Sequence, residues 1–139
     1  MIATDIGAHV KTLSAFRPVA QAAGSPTAIA LDRLGFNSCE LHVGTGASTG
    51  APTSLTVDAS ITHSDTSGGA YTAYTPPTGS AAIAQITGVN SEARASVNLA
   101  GAKRFVKGDC DVAFVGGTAP TVVVDAELVL GGADTEPQA

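Results

Sequence analysis

Between positions 55 and 62 apolar and polar residues alternate one by one: Leu55, Val57, Ala59 and Ile61 stand against Thr56, Asp58, Ser60 and Thr62. A period of two sends successive side chains to opposite faces of an extended chain, so this stretch predicts a half-buried β-strand. Later stretches repeat the pattern. Ala95, Val97 and Leu99 oppose Arg94, Ser96 and Asn98, and Val122, Val124, Ala126, Leu128 and Leu130 oppose Asp125 and Glu127. Read on the same terms, strands are predicted over 28–31, 38–43, 55–63, 81–87, 94–99, 103–115 and 121–130, at the spacing of a sandwich or barrel. Each of the clearest strands has one dry side, which two sheets packed face to face would bury. The expected fold class is all-β: an antiparallel β-sandwich or jelly-roll-like domain with an extended N-terminal arm.

The arm is the part the pattern does not organise. Val10, Leu13, Phe16 and Val19 are spaced loosely as on a helix, but Pro18 falls inside the pattern and would break it. The regular strand signal starts at Thr27, after Gly24, Ser25 and Pro26. The chain is therefore divided into an arm (1–23), a sandwich domain (24–132) and a polar, Gly- and Pro-containing tail (133–139). Apolar side chains on an arm are costly in water, so Val10, Leu13, Phe16 and Val19, with Arg17 as a donor to a carboxylate, are candidate contacts to neighbouring subunits or to a shell. The stretch SDTSGGAYTAYTPPTGS, 64–80, is a long polar connection expected at the surface, and its Tyr71 and Tyr74 complete the candidate interface.

Composition sharpens the core and narrows the partners. In 139 residues there are 16 Gly and 7 Pro and no Trp, so the core is expected to consist of small and β-branched side chains. The net charge is −5 and the seven Lys and Arg are scattered, which lacks the basic stripe of a nucleic-acid binder. No run of about 20 apolar residues is present to span a bilayer, and the acid in MIATDIGAHVK argues against a secretory signal. The two cysteines, Cys39 and Cys110, share parity with the apolar sides of their strands, so both are expected as buried free thiols.

Candidate chemistry dissolves when parity is read. HVGTGASTGAPTSLTV, 42–57, has the glycines of a phosphate-cradling loop but no Lys, and a strand follows it instead of a helix. It is expected to be a hairpin connection. His42, His63 and Asp65 are suitable metal ligands by type, yet nothing in the pattern brings them together. Asp109 and Asp111 flank Cys110 and simply line one strand face, and no G-x-S-x-G elbow is present. The expectation is a non-enzyme without cofactor or metal. The scarcity of exposed aromatic platforms, with no Trp, counts against a carbohydrate-binding module.

Four pieces occur in a telling order: Leu31, Asp32, Leu34, Gly35, Phe36 and Ser38; then Ser64, Asp65 and Tyr71; then Lys103, Arg104 and Phe105; then a Val/Leu-rich strand closed by Leu130 and Gly131. In this order they resemble the small decoration, or cement, proteins of tailed-bacteriophage heads. Arg33 after Asp32, the single Asp at 65 and the N-terminal segment depart from that pattern. The resemblance implies a structural virion protein, made in the host cytoplasm and residing on the outer capsid surface. Its implied partner is the major capsid protein, on which it sits as a homotrimer and stabilises the lattice, without direct nucleic acid or membrane contact. The alternative is a phage tail or baseplate β-domain, with a carbohydrate-binding module behind it.

Overall fold

The computed structural model describes residues 5–77 and 83–133. One turn of 3-10 helix (Ile6–Ala8) leads into eight strands: β1 (Lys11–Gln21), β2 (Leu31–Asp32), β3 (Phe36–Thr49), β4 (Ser54–Ser64), β5 (Thr72–Ala73), β6 (Glu92–Asn98), β7 (Phe105–Val115) and β8 (Thr121–Ala133). They form two four-stranded antiparallel sheets, ordered β1-β8-β3-β6 and β2-β7-β4-β5. Rank by rank, each strand of the first sheet has its sequence neighbour in the second, which is the strand order of a jelly roll. Every connection except β4–β5 therefore changes sheet. The glycine-rich stretch at 44–53 is corrected accordingly. It is a turn, but not a hairpin, because β3 pairs with β8 and β6 while β4 pairs with β7 and β5.

Alternation delivers the two inner faces. Cys39, Leu41 and Val43 of β3 lie level with Leu130, Leu128 and Ala126 of β8, and Val57, Ala59 and Ile61 of β4 with Val112, Cys110 and Gly108 of β7. Nearly all of these are buried, each large apolar side chain contributing about 1.5–3 kcal/mol. The two faces approach closely at Gly108. A Cβ there would sit 2.9 Å from the Ala15 Cβ and 2.9 Å from Leu41 Cδ1, so glycine is what lets the second sheet approach the first.

Residues 11–21, expected outside the sandwich as part of an arm over 1–23, are its edge strand β1. Its register against β8 slips by one residue between Ser14 and Phe16 and again between Phe16 and Val19. Each slip is a β-bulge, one extra residue against a regular partner strand. Leu13, Phe16 and Val19 consequently oppose Leu128, Ala126 and Val124, all on the inner side, although they are three apart. The spacing that reads as helical belongs to a strand with two bulges. Ala15 and Phe16 are fully buried, so the core begins before Gly24. Pro18, in the second bulge, is where a missing backbone donor does least harm. Of the tail expected over 133–139, Ala133 ends β8 and the remainder lies outside the described residues.

Two irregular segments close the sides of the sandwich. On one side Gly24 bridges Val112, Ile29 N–H donates to Ala15 O at 2.7 Å and Leu31 pairs with Val106. On the other, Ile86 bridges Val57, and Thr45 N–H donates to Ser91 O at 2.8 Å. The strand expected over 81–87 begins outside the described residues, and its described part makes this single bridge. At one end of the sandwich the turns after β3 and β7 interlock, Thr118 N–H donating to Gly50 O at 2.8 Å.

Gly108→Ala is expected to lower stability by about 1–3 kcal/mol through overpacking, seen as a lower denaturant midpoint; an unchanged midpoint would mean that the sheets can part at no cost. Phe16→Ala is expected to cost about 3–5 kcal/mol, and a chain starting at Gly24 to lose its cooperative unfolding transition. A folded truncation would restore residues 11–21 to the status of an arm.

Candidate functional site

The end of the sandwich opposite the interlocked turns is built from ionic contacts. The β2–β3 connection is a tight turn: Phe36 N–H donates to Arg33 O at 2.9 Å, Leu34 N–H donates to Asp32 Oδ1 at 3.0 Å, and Gly35 takes φ of 86°, a value that favours glycine. The turn pushes Leu34 outward, and it is 68% exposed. Asp32 receives Arg104 from the start of β7, with Nη2 at 2.7 Å and Nε at 3.1 Å from Oδ2. This fork-shaped pairing suits the guanidinium plane, and Arg104 also lies 5.2 Å from the centre of the Phe105 ring. Arg33 looks like an insertion in the sequence, but it is a clamp. Its Nε donates to Lys103 O at 2.9 Å, its Nη1 to Phe36 O at 3.0 Å and its Nη2 to Ala102 O, tying the β2–β3 turn to the β6–β7 connection.

Around this clamp stand the side chains of the 64–77 connection. Lys103 Nζ is 2.8 Å from Asp65 Oδ2, and its backbone N–H donates to His63 Nδ1 at 3.2 Å. Tyr74 packs its ring 5.1 Å from His63 and donates its hydroxyl to Asn98 O at 2.7 Å, joining β4 and β6 across the two sheets. Tyr71 donates to Ser67 O at 3.1 Å and carries Lys107 Nζ 4.2 Å from its ring centre, a cation–π contact. Burial and then Asp109 push the Tyr71 hydroxyl above its ordinary value. Both tyrosines are half-buried and engaged within the chain.

The remaining expected interface residues are scattered. Phe16 is in the core and Leu13 packs against it. Val10 is half-buried, near Gly131. Arg17 and Val19 are exposed at the β1 edge, away from the ionic end. These five were grouped as one arm, and the two bulges of β1 separate them. His42 lies on the outer face of the first sheet, 3.0 Å from Glu92 Oε2, while His63 is on β4 of the second sheet. Among the described residues no three His, Cys, Asp or Glu side chains gather as a metal site would require. Asp109 accepts from Thr62 at 2.6 Å and Asp111 from Ser25 at 3.4 Å. Both thiols are buried and free, and burial pushes each up to about 12. In Cys110 the neighbouring Asp109 and Asp111 add to the effect.

Every piece of the ordered sequence pattern thus arrives at one place. Asp32 meets Arg104, Asp65 meets Lys103, Ser64 pairs with Phe105, and Ser38 pairs with Gly131. Leu34 is the residue that the sequence did not single out for the interface, and only its position at the tip of the turn exposes it. Chemically the end presents one exposed apolar side chain among paired charges, an apolar centre with a polar rim.

No protein-family model matches the chain, and no curated protein matches its sequence significantly. Among solved structures it is similar to the crystal structure of the SPBc2 prophage-derived protein YomS, with 17% sequence identity and a TM-score of 0.42, over 86% of this chain and 92% of that one.

The Asp32 carboxyl is held below its ordinary 3.8, first of all by the hydrogen bond from Arg104. A depressed folded value contributes stability above the ordinary value, and that contribution is lost as pH falls through the folded one. Asp32→Asn is therefore expected to flatten the acid limb of the stability curve below about pH 4, measured as denaturation midpoints against pH. The same slope in both proteins would mean that the pair contributes nothing, as exposed pairs often do.

Proposed function

We propose that this chain is a structural protein of a tailed-bacteriophage head, a decoration protein that binds the outside of the capsid and reinforces its lattice. The observation that carries the reading is the convergence of the four motif pieces. Residues far apart in the chain, such as Asp32 and Arg104, 72 positions apart, form one continuous ionic end with Leu34 at its tip. Asp32, Leu34, Asp65, Lys103 and Arg104 share this surface, which is what a common partner would require, while Leu31, Phe36, Ser64 and Leu130 of the same pieces are buried beneath it and serve the fold. The jelly roll agrees with the reading at the level of fold, since capsid domains use it, as lectins do. Fold alone does not choose among them.

In this reading the ionic end faces the shell, with Leu34 as the anchor and the Asp32–Arg104 and Lys103–Asp65 pairs as the rim. Repetition over a lattice then turns a modest contact into firm attachment. The protein acts by binding and not by catalysis, its partner is the major capsid protein, and it assembles as a homotrimer.

The test is co-sedimentation of the purified chain with undecorated tailed-phage heads assembled from the major capsid protein of the same phage. Saturable binding is expected, weakened at least about tenfold by Leu34→Asp, as for a central contact residue. Failure to bind heads would refute the reading, and binding to isolated tails or baseplates would move the protein to that part of the particle. Binding unaffected by Leu34→Asp would put the contact elsewhere.

A further inference from the structure

We infer that copies of this chain associate side by side, the β1 edge of one against the β6 edge of the next, with Arg17 of one copy meeting Glu92 of its neighbour. In the first sheet these two strands are the outer ranks. Glu92 pairs with Gly44 of β3, and Gly44 with Asp125 of β8. Asp125 in turn lies level with the bulge that holds Arg17 and Pro18, between the pairs Phe16–Ala126 and Val19–Val124. One row across the sheet therefore ends in a cation at one edge and a carboxylate at the other.

Both charges are available. Arg17 is exposed and, among the described residues, makes no hydrogen bond or ion pair. Glu92 is exposed and held by His42 through Oε2, which leaves Oε1 as an acceptor. The bond from His42 also keeps the carboxyl below its ordinary range, so the group is charged at neutral pH.

Shape matches charge at the same level. Beside Arg17 an open groove of about 510 Å³ is lined by Pro18, Val19, Pro26 and Ile29, and Val19 and Ile29 are 39% and 38% exposed. At the opposite edge a turn presents Val89, 41% exposed, beside Asn90 at φ 50°. That turn is fixed to β3 by Asn90 N–H to Gly46 O at 3.3 Å and Thr45 N–H to Ser91 O at 2.8 Å. Thr45 is in the row of Val124 and Val19. Bringing Glu92 to a neighbour's Arg17 therefore brings Val89 to the neighbour's groove. Pro18 and the bulges prevent a continuous ladder along β1, so the contact is one of side chains.

The two patches differ, so the contact is heterologous. It makes a ring where the rotation between copies closes and a filament where it does not. The inference rests on the reading of a self-associating structural protein but not on the shell, because it is measured in solution; loss of head binding alone leaves it standing.

The experiment is sedimentation velocity on the full chain and on Arg17→Glu, Glu92→Lys and the combined swap, with circular dichroism to confirm that each is folded. Self-association is expected for the unaltered chain, at least tenfold weaker in each single variant and regained in the swap. Val89→Asp, which leaves both charges in place, is expected to weaken it as well. A chain that stays single at every concentration overturns the inference. So do folded single variants that associate as tightly as the unaltered chain, or a folded swap that stays dissociated.

Discussion

Where β7 passes beneath Ala15, Leu41 and Leu128, no side chain separates the two sheets, because position 108 is glycine. That approach sets the scale of the whole interior. With the sheets held so near, the core is filled mostly by Val, Leu and Ala, and close packing leaves the inner faces to each other. Even the edge strand depends on this contact, since Ala15, the extra residue of the first β1 bulge, is one of the groups against which Gly108 rests.

The topology decides which outside surfaces are available. Because all connections but one cross between sheets, both ends of the sandwich are made of turns, and the two ends have different chemistry. One joins Gly50 and Pro52 with Gly117 and Pro120 through backbone contacts, and carries Ala51 and Ala119 at positive φ. The other is held by Arg33, Arg104 and Lys103 acting on carbonyls and carboxylates. Among the described residues the second end is the one that presents paired charges, which is why the proposed contact is placed there.

The strands with regular partners could be read directly from the chain. β4, β6 and β8 alternate without interruption, and both cysteines fall on the inner faces that parity predicts. β1 could not be read in this way, because each bulge shifts parity by one and converts a period of two into a spacing of three. β5 is two residues long and lies within a polar connection, too short for any period. The turn after β3 was recognisable from its glycine and proline, but the partner of β3 was not, since its pairing with β8 is set by a strand far along the chain. The ionic end was visible only as four short pieces in order. Their meeting point depends on contacts such as Asp32 with Arg104, and Arg33 became intelligible only when its three carbonyl partners were seen together.

The burial of the two thiols bears on where such a protein can survive. Thiolate is the form that peroxide and disulfides attack, and at neutral pH neither Cys39 nor Cys110 presents it, each being pushed up to about 12 within the apolar layer. Among the described residues there is no disulfide whose reduction could loosen the fold, and both thiols lie inside it. Reducing and oxidising surroundings are therefore expected to leave these two side chains unchanged.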